Sequence, residues 1–299
     1  MKKRFFGTDG IRGCVGQGAI TVPFMYRLGR AIGAAFSHQC ARVLIARDTR
    51  ISGASLQVAL QAGLSSVGVA SEALGVLPTP AVAFLAKQEK NTIGVMITAS
   101  HNPYQDNGVK LFTSNGQKIS DAMELKIEKH LLAASVEGDS KAVGTVVDKS
   151  HLAKMYVDYC MNVLGDNTCF QSLKVVVDCA NGAAVSVAQA IFSKLIKNVT
   201  FIHVEPNGVN INLECGATNL KSLKTAVVES QADCGIAFDG DGDRLMMVDH
   251  LGRVVDGDQI LAILVQAEAS SGSLPGVVGT LMTNLGFEQL MAQHGIPFK

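Results

Sequence analysis

Residues 43–64 read VLIARDTRISGASLQVALQAGL, and this stretch decides the fold class. Its opening run of apolar residues, 43–47, predicts a β-strand. Ser52 is suited to cap the N-terminus of a helix. The residues that follow recur at helical spacing and predict one buried face: Leu56, Ala59, Leu60, Gly63, Leu64 and Val67. A strand followed at once by a helix is the repeating unit of α/β proteins, so we predict that class.

The same alternation continues along the chain. Further strands are predicted at 93–98, 109–112, 174–178, 201–204, 235–238, 245–248 and 276–282. Further helices are predicted at about 120–134, 185–196, 219–229 and 256–268, with another after 282. This order predicts sheets that are covered by helices.

A polar stretch at residues 136–141 is typical of a flexible connection between domains. We predict a first domain over residues 1–150, a second over 151–253 and the N-terminal fragment of a third over 254–299. One βαβ crossover needs ~30 residues, so the last segment is too short for a complete α/β domain. We therefore expect the chain to be part of a longer protein.

Composition excludes several functional classes. The 299 residues are 47% hydrophobic and carry 26 basic and 26 acidic side chains, so no basic field is available to bind nucleic acid. No apolar run approaches the ~20 residues that span a bilayer, and Met1–Arg4 is not followed by the apolar segment of a signal peptide. The seven cysteines include no C-x-x-C pair, which favours reduced thiols in a cytoplasmic protein over disulfides or zinc.

Three aspartates, Asp239, Asp241 and Asp243, alternate with glycines directly after a predicted strand. Side chains two residues apart point the same way, and glycine lets the backbone curl so that the carboxylates converge. Like charges ~4 Å apart repel by ~4 kcal/mol at an effective dielectric near 20, so this pattern favours a bound cation. Oxygen ligands select Mg²⁺ first and Ca²⁺ second. A solvated Asp/Gly loop is the simpler alternative.

The acidic loop has two other interpretations. A calcium-binding EF-hand is excluded, because its sixth position would be Arg244 instead of glycine and its twelfth His250 instead of glutamate. A phosphohydrolase that forms an aspartyl-phosphate at Asp239 or Asp241 remains open.

Ser100 is the second candidate, in the sequence Thr98-Ala99-Ser100-His101-Asn102-Pro103 after a predicted strand. Pro103 disfavours helical geometry at the residue before it, so Ser100 is expected to be exposed and held in a defined turn, which suits a nucleophile. Taken alone, this pattern is also ordinary loop chemistry, and no G-x-S-x-G elbow is present. Together with the acidic loop, the cations Lys110 and Arg12 complete the groups needed for phosphoryl transfer.

Arg50 has two readings in the turn Arg47-Asp48-Thr49-Arg50. Its guanidinium could tie the turn together through local hydrogen bonds, or it could face a phosphate.

Four motifs carry a resemblance to a known family: FGTDGIRG at 6–13, TASHNP at 98–103, NGVK at 107–110 and DGDGDR at 239–244. In this order they resemble the α-D-phosphohexomutase superfamily. Within it, Ala99 and the opening motif resemble the bacterial branch that interconverts glucosamine phosphates. The resemblance covers the whole chain.

The resemblance implies a role for each matching residue. Ser100 is implied to carry the phosphoryl group. One Mg²⁺ per chain is implied to be bound by Ser100, Asp239, Asp241 and Asp243. Arg244 is implied to steady the phosphoserine, Lys110 to act as general acid and base, and Arg12 to bind and orient the substrate, with His101 in support.

The implied reaction interconverts glucosamine 6-phosphate and glucosamine 1-phosphate, with glucosamine 1,6-bisphosphate as intermediate and activator, for amino-sugar nucleotides of the bacterial cell envelope. The implied fold has consecutive α/β domains with mixed sheets, the third incomplete and the fourth absent. The motifs G-E-x-S-G-H and R-x-S-G-T-x-P of those later domains do not occur in the sequence. A homodimer is a candidate assembly. Mutases for mannose or glucose phosphate, the aspartyl-phosphate hydrolase and an inactive metal-binding fragment stay as alternatives.

Overall fold

The computed structural model describes residues 3–36, 42–133, 144–164, 169–270, 272 and 274–299. Within them two mixed β-sheets are covered by helices, which confirms the α/β class. The stretch at 136–141, predicted to be a flexible connection, lies outside the described residues. No helix in the described ranges is both long enough and apolar enough to cross a membrane.

The first sheet has the strand order β1-β5-β4-β2-β3-β6. Its central strands β2, β3 and β4 run parallel, while β5 is antiparallel to both β4 and β1. The elements of this unit are β1 (Ile11–Cys14), α1 (Val22–Phe36), β2 (Arg42–Arg47), α2 (Gly53–Ser65), β3 (Ala70–Val76), α3 (Thr79–Gln88), β4 (Thr92–Ile97), β5 (Asp106–Phe112), α4 (Asp121–Leu132) and β6 (Val146–Asp148).

The second sheet has the order β11-β10-β9-β7-β8, in which β7 runs parallel to β8 and β9 and the other pairs are antiparallel. Its elements are α5 (Ala153–Leu164), β7 (Lys174–Asp178), α6 (Val185–Leu195), β8 (Asn198–Ile202), α7 (Lys221–Ser230), β9 (Cys234–Phe238), β10 (Leu245–Asp249) and β11 (Val254–Val255). Two more helices follow, α8 (Gly257–Ser270) and α9 (Leu285–Gln293).

The stretch that decides the fold class forms β2 and α2 as predicted. The apolar residues of the predicted helix face are buried, except that Val67 lies beyond the helix and is partly exposed. Ser52 occupies the N-cap position, but its hydroxyl caps no helical N–H and instead accepts a hydrogen bond from Asn107 Nδ2 at 2.9 Å. A Cβ on Gly63 would lie 2.0 Å from the carbonyl oxygen of Tyr26, so α1 and α2 pack backbone against backbone here.

Two strand predictions differ from the structure. The strand predicted at 201–204 runs instead from Asn198 to Ile202, because it pairs in register with β7, whose last residue, Asp178, lies opposite Ile202. The strand predicted at 276–282 is wrong. That segment makes only an isolated bridge from Val277 to Phe298, and Leu281 is fully exposed, so its apolar residues have no neighbouring strand among the described residues.

The two sheet units share a hydrophobic core. One face of the first sheet contributes Leu44 and Met96, and these pack with Val157 of α5 and Val187 of α6. Because this core spans both units, the loop after β4 and the loop after β9 are brought against each other. Five cysteines with described side chains form no disulfide: Cys14, Cys160, Cys179, Cys215 and Cys234.

Candidate active site

Ser100 lies three residues beyond the end of β4 and has a left-handed backbone with φ of 53°. Such a conformation is uncommon for a residue other than glycine and has to be held by its surroundings. The N–H of Ser100 donates to Thr98 Oγ1 at 2.8 Å, and the residue is only 1% exposed. The turn expected for this serine is therefore present, although the residue is buried in the structure.

The acidic loop between β9 and β10 meets Ser100 directly. Ser100 Oγ donates to Asp239 Oδ2 at 2.6 Å. The other oxygen of Asp239 accepts from the backbone N–H groups of Asp243 and Arg244, at 3.1 Å each. Gly242 has φ of +68° and allows the loop to curl around the first aspartate.

Lys110, on β5, lies between the other two aspartates. Its Nζ donates to Asp241 Oδ2 at 2.6 Å and to Asp243 Oδ2 at 2.7 Å. The hydroxyl of Thr79, at the start of α3, also donates to Asp241 Oδ2 at 2.5 Å. The repulsion expected between the carboxylates is therefore offset in this structure by an ammonium of the protein itself.

The three aspartates fit a hard metal ion. Each offers a carboxylate oxygen, and the three oxygens lie within 4.8 Å of one another. Asp241 Oδ1 is buried and has no hydrogen-bond partner among the described residues. A buried carboxylate oxygen without a partner is costly, and a divalent cation bound by oxygen ligands would satisfy it.

The surroundings shift the pKa values of the two buried aspartates in opposite directions. Burial, with the negative charge of Asp241 next, raises the pKa of Asp239 to about 6. Burial is the largest single effect on Asp241 and opposes its ionisation, but the charge of Lys110 and the hydrogen bonds from Lys110 and Thr79 together lower its pKa. Burial likewise opposes the charge of Lys110, but the charges of Asp241 and Asp243 and the hydrogen bonds to them together raise its pKa. Lys110 and Asp241 are thus held as an ion pair.

The three remaining candidates are His101, Arg12 and Arg244. His101 Nδ1 lies 3.5 Å from Ser100 Oγ. Burial, followed by the positive charges of Arg244 and Arg12, lowers the pKa of His101. Arg12 Nε is buried without a partner among the described residues, and one of its terminal nitrogens lies 3.7 Å from Asp9. The charges of both guanidinium groups therefore act on the imidazole beside Ser100.

Arg50 does not face a phosphate. It is 1% exposed, and its guanidinium binds Asp48 and the backbone carbonyls of the serine loop. Of the two roles that the sequence allows for Arg50, the phosphate contact is wrong because the side chain is enclosed by protein.

Sequence reasoning missed two side chains that touch this site, Thr79 and Asn212. Asn212 Nδ2 donates to the carbonyl oxygen of Ser100 at 2.9 Å. Its only signal in the sequence is its place in an Asn-rich loop, and Thr79 is marked only by the prolines on either side of it. Beside Lys110 a cavity of about 180 Å³ extends between Asp243 and Lys118.

Family models cover most of the chain. Those for phosphoglucomutase/phosphomannomutase alpha/beta/alpha domains I, II and III match residues 3–137, 154–252 and 256–299. A phosphoglucosamine mutase of Pseudomonas putida is 48% identical over 301 residues, which is 100% of this chain and 67% of the relative. The chain thus spans about two thirds of the length of this relative.

Solved structures give the same fold. A phosphoglucomutase/phosphomannomutase family protein of Burkholderia thailandensis has a TM-score of 0.84 and 25% identity, over 100% of this chain and 66% of that one. An N-acetylphosphoglucosamine mutase of Aspergillus fumigatus, in complex with GlcNAc-6P and magnesium, has a TM-score of 0.55 and 19% identity, over 99% and 62%. This second likeness concerns the fold alone.

Proposed function

The chain belongs to the phosphoglucomutase/phosphomannomutase family, and from this premise we propose that it is a phosphohexomutase that interconverts glucosamine 6-phosphate and glucosamine 1-phosphate. The choice of sugar is supported by the 48% identity to a phosphoglucosamine mutase. Mutases for mannose or glucose phosphate are the alternative within the family.

One observation carries the mechanism: the Ser100 hydroxyl donates at 2.6 Å to a buried carboxylate of the acidic loop, whose other two carboxylates are paired with the ammonium of Lys110. In the first half of the reaction the phosphoryl group leaves Ser100 Oγ and bonds to the free hydroxyl of the sugar phosphate, whose proton passes to a base. The resulting glucosamine 1,6-bisphosphate then returns its other phosphoryl group to Ser100. No cofactor is consumed.

Charge governs the roles of the surrounding residues. A phosphoserine adds about −1.5 to −2 charges near neutral pH, so Arg244 is assigned to steady its phosphate oxygens, while Arg12 is assigned to bind and orient the substrate. Lys110 is assigned as the general acid and base, the role that the family resemblance implies. Its raised pKa keeps a proton at Nζ beside the acidic loop, which is the form that acts as the acid. His101 supports the serine from 3.5 Å.

The metal of this proposal is one Mg²⁺ held by Asp239, Asp241 and Asp243, with the phosphate on Ser100 as a further ligand. The partnerless oxygen Asp241 Oδ1 and the purely oxygen donor set support this choice. When bound, the ion neutralises charge that develops on the transferring phosphoryl group.

The aspartyl-phosphate alternative fits this geometry poorly. Both oxygens of Asp239 are engaged, one by the serine hydroxyl and one by two backbone N–H groups. Asp241 is fully buried and paired with Lys110. Its other oxygen, Oδ1, is the one assigned to the metal, so in the proposed site neither carboxylate has an oxygen left to attack a phosphate. An inactive metal-binding fragment would not need a hydroxyl donating to the acidic loop.

The proposal extends to the setting of the enzyme. Its domains are assigned to residues 1–150, 151–253 and 254–299. The substrate is a small sugar phosphate. The enzyme acts in the cytoplasm, on the route to amino-sugar nucleotides of the cell envelope. A homodimer is the candidate assembly.

The test is phosphorylation of the chain itself. With Mg²⁺ and glucosamine 1,6-bisphosphate, intact mass should show uptake of one phosphoryl group, stable to hydroxylamine, as expected of a phosphoserine. Ser100→Ala should take up none, because the accepting hydroxyl is gone, while the exposed control Ser55→Ala should behave as the wild type. Labelling of Ser100→Ala, or a label that hydroxylamine removes, contradicts the serine mechanism.

A further inference from the structure

Arg50 is a buried guanidinium devoted to the backbone of the serine loop. Its Nε donates to Asp48, and its four remaining N–H groups face four carbonyl oxygens of the loop. Those carbonyls belong to Ser100, Asn102, Pro103 and Asp106. All five donors of the side chain are therefore used within the protein.

Asp48 completes this arrangement. It is fully buried, and its Oδ2 accepts from both Arg50 Nε at 2.9 Å and Thr98 Oγ1 at 2.7 Å. Thr98 Oγ1 in turn accepts from the N–H of Ser100 at 2.8 Å. Both the N–H and the carbonyl of Ser100 are thus tied to one buried ion pair.

The second domain supplies another donor to the same carbonyl. Asn212 Nδ2 lies 2.9 Å from the oxygen of Ser100 and 3.2 Å from that of Asn102. A Cβ on Gly240 would lie 2.5 Å from Asn212 Nδ2 and 2.7 Å from the oxygen of Ser100, so the acidic loop closes tightly over this contact. Both domains therefore donate hydrogen bonds to the backbone of the serine loop.

A buried ion pair is a poor source of stability, since desolvation of the charges offsets their attraction. Arg50 and Asp48 nevertheless surround a residue in an uncommon backbone conformation, and both lie beyond the end of β2. We propose that Arg50 and Asn212 are positioning residues that fix the carbonyl of Ser100 from two domains and so aim its Oγ at the acidic loop. The inference rests on the proposed function, because it assumes that Oγ carries the phosphoryl group.

Displacing a reacting atom by ~1 Å costs ~10²-fold in rate. Arg50→Lys keeps the positive charge for Asp48 but loses the planar fork that reaches four carbonyls. Asn212→Asp keeps the size and the tolerance for a φ of 58°, but it places a carboxylate oxygen against two carbonyls. We expect each variant to phosphorylate Ser100 ~10²-fold more slowly, with the half-saturating concentration of bisphosphate little changed.

Matched controls are available on the surface. Arg253 forms an exposed ion pair with Asp249, and Asn91 is exposed with a φ of 57°. Arg253→Lys and Asn91→Asp make the same chemical changes far from the serine, so they should leave the phosphorylation rate within twofold of the wild type. All variants are compared well below their melting temperatures.

Two measurements decide the inference. The first is the rate of Ser100 phosphorylation by glucosamine 1,6-bisphosphate with Mg²⁺, followed by intact mass. The second is amide hydrogen exchange, which should rise in residues 98–106 of Arg50→Lys and Asn212→Asp and stay unchanged elsewhere. If Arg50→Lys fails to fold, Asn212→Asp carries the same test from the second domain.

The outcomes separate the two proposals. Faster loop exchange with slow phosphorylation supports the inference. Wild-type phosphorylation rates in both variants, or unchanged loop exchange, overturn it while the serine mechanism stands. A wild-type chain that takes up no phosphoryl group overturns the proposed function. In that case, faster amide exchange in the variants would still show that Arg50 and Asn212 hold the serine loop in place.

Discussion

Replacing Lys110 with methionine should raise the affinity of the acidic loop for Mg²⁺ while it lowers phosphoryl transfer. The Nζ of Lys110 donates to Asp241 at 2.6 Å and to Asp243 at 2.7 Å, so this ammonium already neutralises part of the charge that a metal ion would neutralise. Methionine keeps most of the length of the side chain and removes the charge.

The size of the effect follows from the geometry. Unit charges 4 Å apart interact by about 4 kcal/mol at an effective dielectric near 20, which sets an upper limit on the repulsion between ammonium and metal. The side chain is long and 12% exposed, so it can swing aside and recover much of that energy. A remaining penalty of about 1.4 kcal/mol would make Mg²⁺ bind about tenfold more tightly to Lys110→Met.

Without metal the same variant should be less stable, because a buried carboxylate that loses its partner costs about 3 kcal/mol. Titration calorimetry gives the Mg²⁺ affinity, and melting curves with EDTA and with Mg²⁺ give the two stabilities. Lys118→Met is the control: this lysine lines the same cavity but pairs with Glu124 at 3.1 Å, and its replacement should leave Mg²⁺ affinity unchanged. Equal or weaker Mg²⁺ binding in Lys110→Met would refute the reasoning.

Two further predictions concern the acidic loop. Because the pKa of Asp239 is raised to about 6 in the folded state, against about 4 when unfolded, the folded state holds the proton more tightly. The metal-free protein should therefore lose stability as pH rises from 4 to 6, and urea melts of Asp239→Asn should lack this component. Gly240→Ala should lower the free energy of unfolding by about 1–3 kcal/mol, because the added methyl group overpacks against Asn212. Gly257→Ala is the control and should not destabilise the protein, since a Cβ there meets nothing within 4 Å. Equal denaturant midpoints for the two variants would contradict the tight packing at Gly240.

Local patterns predicted the elements whose stability is itself local. The helix α2 was predicted from its apolar spacing because one face of a helix packs as a unit. A strand requires a partner, and its ends are set by that partner. The predicted strand at 201–204 was displaced to Asn198–Ile202 by its register with β7. The apolar run at 276–282 found no partner among the described residues and formed no strand.

The site was predictable only as far as its motifs were continuous in sequence. Ser100 and the three aspartates were each predicted from a short motif, and the structure brings Ser100 within hydrogen-bonding distance of Asp239. Thr79 reaches Asp241 across 162 residues and Asn212 reaches Ser100 across 112. No spacing rule links such pairs, since only the packed domains bring them together. Arg50 was found, but its burial could not be read from a polar turn.

The contacts that assemble this site also join the two domains. The serine hydroxyl, the ammonium of Lys110 and the hydroxyl of Thr79 come from the first unit, and the carboxylates that accept from them come from the second. A ligand that binds only the assembled site stabilises the docked arrangement by mass action. A metal ion or a phosphoryl group at this point therefore acts on domain docking as well as on chemistry. By the same linkage, a substitution that loosens docking weakens metal binding even when every ligand is present.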